Sequence, residues 1–225
     1  MDPNGLQMQG IQKGFRTHEG AVIPILRGID LALPLGGYAV ITGPSGSGKT
    51  TFLMIAGLLL APDAGHMWFA GRDVATLGER ERTEIRKTGV GMVFQKFCLL
   101  PGRSALANVE LRFRYLAVPA AEARRRSEAA LERVGLADKA RQPAHTLSAG
   151  EMQRVAIARA IAQPPALLLA DEPTGNLDAD SAAQIMALFQ HLNHDGISLL
   201  VVTHHPAWTA PENAMRLTLQ NGFLS

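Results

Sequence analysis

The amino-acid sequence predicts an α/β protein with a β region at its N-terminus and a helical subdomain inserted into its core. Residues 90–94, 166–170 and 198–203 form short runs that are apolar at most positions, as expected for strands covered on both faces. Residues 182–192 carry apolar side chains at helical spacing between the last two runs. Strands that alternate with helices in this way favour a parallel sheet packed between helices.

The first third of the chain is predicted to consist mainly of strands. Apolar residues alternate with polar ones at Leu6 and Met8, and again at Ile29 and Leu31. This period of two indicates strands with one buried face. A further short apolar run at 67–70 completes the predicted N-terminal β region, which is antiparallel if its strands follow one another.

The segment from residue 97 to residue 163 is mostly helical in character. Pro119 can begin one helix, Ala130 and Leu131 lie on its apolar face, and Gly135 can end it. We therefore expect residues 1–225 to form one domain with two parts. Residues 1–95 and 163–225 form the α/β core, and residues 96–162 form the helical subdomain.

The composition argues against several classes of protein. With 47% hydrophobic and 19% charged residues, the chain has an ordinary globular composition. Its formal charge of +2 and its scattered basic residues give no reason to expect a nucleic-acid partner. The longest apolar run, at 52–61, is about half of the ~20 residues that a membrane helix needs. The single cysteine, Cys98, is compatible with a reducing cytosol.

A phosphate-binding loop is predicted at residues 43–50, which read G-P-S-G-S-G-K-T and fit G-x-x-x-x-G-K-[ST]. The glycines let backbone N–H groups turn inward at a helix N-terminus, Lys49 can reach the β- and γ-phosphates, and the Thr50 hydroxyl can bind Mg²⁺. A Gly/Ser-rich turn is the alternative, but the flanking apolar runs favour the loop. The predicted nucleotide contacts are Gly43, Pro44, Ser45, Gly46, Ser47, Gly48, Lys49, Thr50 and Thr51.

Two acids follow a buried strand at 167–170. Asp171 and Glu172 are thereby delivered to the C-terminal edge of the sheet, where open α/β sheets bind ligands. Asp171 is placed to hold Mg²⁺ through water. Glu172 is placed to polarise the attacking water, a general-base role that contributes about 10²- to 10⁴-fold. Two solvated acids at a strand end are the alternative, and the phosphate loop in the same chain outweighs it.

Residues 147–154 read L-S-A-G-E-M-Q-R and resemble the signature sequence of ATP-binding cassette (ABC) ATPases, usually Leu-Ser-Gly-Gly-Gln. The resemblance extends over residues 6–222, and it implies a P-loop NTPase (RecA-like) core that hydrolyses ATP with Mg²⁺. It also implies that Gln95 contacts Mg²⁺ and the attacking water, and that His204 is the switch histidine. Phe15 corresponds to an aromatic residue that stacks on adenine; the alternative is that it is a core residue of an N-terminal strand.

The same resemblance implies a head-to-tail homodimer, in which each ATP lies between the phosphate loop of one subunit and the signature of the other. Ser148, Gly150 and Asp178 would then act across the interface. The residues themselves support a rigid helix start, because Ser148 and Glu151 form an S-x-x-E capping box. The cap and the functional role of Ser148 are compatible.

Three departures from the family pattern bear on activity. Ala149 replaces a glycine, and we expect its Cβ to hinder a close approach to the γ-phosphate. Glu151 replaces the usual glutamine, and we expect its negative charge to weaken closure of the dimer. His205 follows His204 where an acid is more common. We therefore expect an ATPase that is slow without its partner.

Residues 91–101 and 107–111 resemble the lipoprotein-releasing and macrolide-export (LolD/MacB-like) subfamily. The resemblance implies an integral membrane permease as partner, and a cytoplasmic ATPase that is peripheral on the inner face of the membrane and contacts it only through that partner. Residues 97–101 either dock a helix of the partner or pack the subdomain against the core. An importer ATPase and a cell-envelope signalling or cell-division module that moves no cargo remain alternatives.

Overall fold

The structure is a computed structural model, and it describes residues 5–18, 20–204 and 208–225. The predicted N-terminal β region is an antiparallel sheet with the strand order β2-β1-β4-β5. One face of β1 is buried at Leu6 and Met8, as the alternating pattern predicts, and Ile11 is buried after an irregularity in the strand register. The strands are β1 (Leu6–Arg16), β2 (Val22–Leu33), β4 (Ala64–Phe69) and β5 (Arg72–Asp73).

The second sheet contains the solid apolar runs and has the order β10-β9-β3-β8-β7-β6. All neighbouring strands in it are parallel except β10, which pairs antiparallel with β9. The prediction of a parallel sheet buried on both faces is confirmed. Its strands are β3 (Tyr38–Thr42), β6 (Val90–Val93), β7 (Leu167–Asp171), β8 (Ser198–Val202), β9 (Met215–Gln220) and β10 (Phe223–Leu224).

Helices pack against this sheet, and the segment between β6 and β7 is helical as predicted. Pro119 is the N-cap residue of α4, directly before its first residue. The helices are α1 (Lys49–Ala56), α2 (Glu79–Gly89), α3 (Ala105–Glu110), α4 (Ala120–Arg133), α5 (Ala149–Ile161) and α6 (Ala179–His194), with 3₁₀ helices at Leu111–Phe113, Ala137–Lys139 and Ala144–Thr146.

The alternation of side chains along each parallel strand explains how one sheet serves two cores. In β7, Leu168 and Ala170 pack with residues of α3 to α6 on one face. Leu167 and Leu169 pack with α1 and the N-terminal sheet on the other. Because α5 shares a core with β7, the division of the chain at residues 96 and 162 remains a proposal.

The parallel arrangement brings the carboxyl ends of four neighbouring strands to one edge of the sheet. The phosphate loop follows β3, Gln95 follows β6, Asp171 ends β7, and His204 follows β8. These are the residues for which the sequence predicted chemistry, and ligands of open α/β sheets bind at such an edge.

Candidate active site

The loop between β3 and α1 has a backbone that requires glycine at two positions. Gly43 has φ 153° and Gly48, the N-cap residue of α1, has φ 101°. A Cβ on Gly43 would lie 2.2 Å from the carbonyl oxygen of Leu219. A Cβ on Gly48 would lie 2.9 Å from Cγ2 of Ile25. The loop is therefore pressed against neighbouring strands, and only glycine permits that approach.

Polar groups of this loop are suited to holding phosphate oxygens. Lys49 is buried, and its Nζ donates hydrogen bonds to the carbonyl oxygens of Gly43 (2.8 Å) and Pro44 (3.0 Å), so the ammonium lies across the loop. The buried Ser47 Oγ has no hydrogen-bond partner among the described residues. A buried hydroxyl without a partner is costly unless a ligand satisfies it. The loop therefore fits a bound phosphate.

Two of the three predicted magnesium-binding side chains, those of Thr50 and Asp171, are in direct contact. The Thr50 hydroxyl donates to Oδ2 of Asp171 at 3.0 Å. Burial raises the pKa of Asp171; the Thr50 hydrogen bond opposes this, and the neighbouring Glu172 charge adds to it. A buried carboxylate is more stable as an anion when a cation is beside it, and oxygen ligands are those that Mg²⁺ prefers. The pair fits Mg²⁺.

Glu172 and His204 form the second contact of the predicted site. Nδ1 of His204 lies 2.8 Å from Oε1 of Glu172, and the backbone N–H of His204 donates to Oε2 at 3.0 Å. The Glu172 backbone is left-handed, with φ 45°, a conformation that costs of order 1–3 kcal/mol in a non-glycine residue. The Glu172 side chain is 11% exposed and that of His204 is 64% exposed. The carboxylate is thus held from two directions.

Gln95 lies beside the segment that contains the predicted interface residue Asp178. Its carbonyl oxygen accepts a hydrogen bond from Nδ2 of Asn176 at 3.1 Å. Its Nε2 would lie 3.2 Å from a Cβ on Gly175. The backbone at Gln95 and the loop before α6 are therefore coupled.

Phe15 is 47% exposed, so the alternative that it belongs to the core is wrong. The ammonium of Lys13 lies 5.8 Å from the centre of its ring. Its strand partner Ile23 lines a cleft of about 590 Å³ together with residues 44–47 of the phosphate loop. This location is compatible with adenine stacking, which remains a prediction.

The capping box predicted for the signature segment is present at the start of α5. Ser148 Oγ accepts the backbone N–H of Glu151 at 3.3 Å, and Oε2 of Glu151 accepts the backbone N–H of Ser148 at 2.9 Å. Ser148 is exposed, whereas Ala149 is partly exposed. The signature therefore presents a rigid helix start at the surface.

Sequence reasoning missed two contacts of the signature segment. Glu151 forms an ion pair with Lys139, and its pKa is lowered by that hydrogen bond and by the Ser148 N–H. The negative charge of Glu151 therefore has a countercharge within the chain, and the expected weakening of dimer closure stays a prediction. A Cβ on Gly150 would lie 2.7 Å from Oγ of Ser181 in α6, so Gly150 also has a packing role within the chain.

Asp178 is the N-cap residue of α6. Its Oδ1 accepts the backbone N–H of Ser181 and its Oδ2 accepts the Ser181 hydroxyl, both at 2.8 Å. Gly150 and Asp178, both predicted to act across a dimer interface, thus meet at Ser181. The Asp-x-x-Ser spacing is the one local signal that could have indicated this.

The buried Gln153 and the partly buried Arg159, both in α5, bind backbone near the site and were also missed. The amide of Gln153 donates to the carbonyl oxygen of Pro173 at 2.8 Å. The guanidinium of Arg159 donates to the carbonyl oxygens of Phe97 (3.0 Å) and Cys98 (2.6 Å). Helix α5 is therefore tied to the loops that follow Glu172 and Gln95. His205, one of the three departures, lies outside the described residues.

The profile of the ABC transporter family matches residues 26–175. The chain belongs to this family and is one of its ATP-binding cassettes, an ATPase that uses ATP and Mg²⁺. It is 42% identical over 207 residues to the lipoprotein-releasing system ATP-binding protein LolD of Paramagnetospirillum magneticum, covering 92% of this chain and 91% of that one. It is also 42% identical to the macrolide export ATP-binding/permease protein MacB of Syntrophobacter fumaroxidans, covering 90% of this chain but 28% of MacB.

Solved structures agree with the fold and the family. The dimeric structure of the bacterial ABC transporter cassette MJ0796 superposes with a TM-score of 0.87 at 36% identity, covering 98% of this chain and 96% of that one. A second structure of MJ0796 is a dimer in a post-hydrolysis state with ADP and Pi, and its TM-score is the same. In the part of this chain that the structure describes, no helix is long and apolar enough to span a membrane.

Proposed function

We propose that this chain is the ATP-hydrolysing subunit of an ABC system that serves export or lipoprotein and envelope-directed work. The observation that carries the proposal is the single sheet edge where Lys49, the Thr50–Asp171 pair and the Glu172–His204 pair lie together. The LolD and MacB relatives support the export or envelope direction.

Each residue of this edge has a role in the proposed hydrolysis. Lys49 and the loop N–H groups bind the phosphates, and Glu172 accepts a proton from the attacking water while His204 holds the carboxylate in place. Thr50, Asp171 and Gln95 would hold Mg²⁺, which supplies charge neutralisation of the phosphates when bound.

The homodimer is proposed to be head-to-tail, with two ATP at the interface. The capped N-terminus of α5, where Ser148 is exposed, is suited to an anionic phosphate because its N–H groups and dipole favour negative charge. Gly150 lies in the first turn of this helix and packs against Ser181, and Asp178 accepts a hydrogen bond from the same Ser181. The dimeric MJ0796 structures support this arrangement.

The permease is proposed to dock in a groove of about 490 Å³ between α2, β6 and α5, which we call the basic groove. Tyr115 at its rim is 75% exposed. Arg112 and Arg159 hydrogen-bond to backbone carbonyls, and among the described residues neither forms an ion pair. Burial lowers the pKa of both guanidinium groups. The lining is apolar at Met92, Phe94 and Leu116, and it carries the basic side chains of Arg86, Lys87, Arg112 and Arg159. Arg86 is paired with Glu79 and Lys87 with Glu84, so the positive charge open to a partner is that of Arg112 and Arg159.

An apolar helix that carries an acidic side chain would complement this groove. Within residues 97–101, Cys98 lines this groove; Cys98 and Leu100 are exposed, whereas Phe97 and Leu99 are partly buried. The segment therefore packs against the protein through Phe97 and Leu99 and leaves Cys98 and Leu100 accessible to a partner. A cytoplasmic location, peripheral on the inner face of the membrane with contact through the permease only, follows from this proposal.

The test is capture of partners from detergent-solubilised membranes by tagged Glu172→Gln protein with ATP and Mg²⁺, with a Tyr115→Glu version as the matched control. We expect a permease with few spans and a large outer domain, and its recovery should fall with Tyr115→Glu. A many-span permease would indicate an importer. A partner that regulates an envelope enzyme would indicate the signalling module, and soluble partners alone would contradict the transport role.

A further inference from the structure

The ion pair between Lys139 and Glu151 joins a surface 3₁₀ helix to the signature segment. Lys139 is the last residue of the 3₁₀ helix Ala137–Lys139, and Glu151 lies in the first turn of α5. The Lys139 side chain is 30% exposed and that of Glu151 only 16% exposed. A partly buried pair is screened less by salt than a surface pair.

The two oxygens of the Glu151 carboxylate have separate partners. Oε2 accepts the backbone N–H of Ser148, which completes the capping box, and Oε1 accepts the ammonium of Lys139. The cap needs only a hydrogen-bond acceptor at this position, and a glutamine would serve equally well. The cap therefore does not need the negative charge, and Lys139 is the group that offsets it.

The charge matters because of where this helix start is directed. A helix N-terminus attracts an anion through its N–H groups and dipole, and a nearby carboxylate opposes that attraction for a second anion. In the proposed dimer, the anion is the terminal phosphate of ATP bound to the other subunit. An unpaired Glu151 would therefore weaken dimer closure.

We propose that Lys139 is a positioning residue for the nucleotide site: its ammonium holds and neutralises the Glu151 carboxylate, so that Ser148 and the N-terminus of α5 can receive the partner-bound phosphate. The inference rests on the proposed head-to-tail dimer. It identifies a residue outside the signature segment on which ATP-driven dimerisation depends.

The experiment measures the ATP-dependent dimer dissociation constant by analytical ultracentrifugation in a Glu172→Gln parent. Lys139→Met should raise that constant by about four- to twenty-five-fold at low salt, because the dimer contains two identical sites and a single charge at a helix terminus contributes a factor of about two to five at each. The increase should shrink at about 1 M salt, where the Debye length is ~3 Å. Lys139→Arg should restore the parent constant, because the ion pair is retained.

A double-mutant comparison separates charge from packing. In a background that also carries Glu151→Gln, Lys139→Met should have no effect, since no carboxylate remains to be neutralised. An equal loss in both backgrounds, or no loss at low salt, would overturn the inference.

Two controls accompany this experiment: the ATP affinity of the monomer and the ATP-dependent dimerisation of the parent. ATP affinity of the monomer should be unchanged by Lys139→Met, because the phosphate loop is separate from α5; a parallel loss there would mean general damage to the fold and would contradict the positioning role. If the parent stays monomeric with ATP, the proposed dimer and this inference are both overturned. If the parent dimerises with ATP and Lys139→Met leaves its dissociation constant unchanged, only the inference is overturned.

Discussion

Asp171 and Glu172 are consecutive carboxylates with different surroundings, and the backbone explains how both serve one edge of the sheet. Successive residues of a strand point to opposite faces, but the left-handed conformation of Glu172, with φ 45°, ends this alternation. Asp171 then contacts Thr50, while Glu172 reaches His204. Strained backbone at an active site is expected where the surrounding contacts hold it in place.

Glu172→Gln tests the proposed base. Glutamine has the same shape and can still accept the His204 N–H, but it cannot take a proton from water. Turnover should fall by about 10²- to 10⁴-fold, while ATP affinity should stay within a few-fold of the parent value. Phosphate-release assays and equilibrium binding measure the two quantities. Near-normal turnover would rule out the role of Glu172.

Asp171→Asn tests the raised pKa of the carboxyl that is proposed to bind Mg²⁺. Because folding raises this pKa, the folded state binds the proton more tightly, so the contribution of Asp171 to stability is most favourable at low pH and falls as pH rises through the pKa range. At neutral pH the ionised side chain therefore destabilises the nucleotide-free protein.

The nucleotide-free Asp171→Asn protein should consequently have a higher melting temperature at neutral pH, by roughly 2–4 °C for each kcal/mol by which its free energy of unfolding increases. The gain should vanish near pH 3, and Mg²⁺-dependent ATP turnover should be lost. Scanning calorimetry at both pH values is the measurement. A lower melting temperature at neutral pH would contradict the assignment of the partly buried Asp171 carboxylate as destabilising.

At the scale of elements, the N-termini of α5 and α6 meet at one contact. Gly150 in the first turn of α5 leaves room for Ser181, which Asp178 holds through two hydrogen bonds. A shift of either helix start would therefore be transmitted to the other. This contact couples the signature segment to the loop that follows the catalytic strand β7.

Gly150→Ala should destabilise the protein by about 1–3 kcal/mol, because its Cβ would overlap with the Ser181 side chain. The double variant Gly150→Ala/Ser181→Gly should recover most of that loss, since both close atoms belong to Ser181. Urea denaturation gives the free energies of unfolding. Failure of Ser181→Gly to rescue would mean that the glycine is needed for another reason.

At the scale of the whole molecule, the parallel sheet could be predicted because full burial makes strands such as β7 and β8 apolar at nearly every position. The phosphate loop and the acids at the end of β7 could be predicted because their chemistry depends on short local spacing. The Lys139–Glu151 pair and the hydrogen bonds of Arg159 could not. Those contacts join residues brought together only by packing, for which local pattern carries no signal.

The proposed dimer contains a composite ATP site, with the phosphate loop of one subunit facing Ser148 of the other. Ser148→Asp tests it, because aspartate is an equally good helix N-cap but places a negative charge toward the partner-bound phosphate. The matched control is Ser148→Thr, which keeps both the cap and the neutral charge.

The decisive measurement is the molar mass of the Glu172→Gln protein in solution, with ATP and Mg²⁺, in the Ser148 parent and both variants. We predict an ATP-dependent dimer for the parent and for Ser148→Thr, and a monomer with unchanged ATP affinity for Ser148→Asp. A parent that remains monomeric with saturating ATP, or a dimer indifferent to Ser148→Asp, would contradict the composite site.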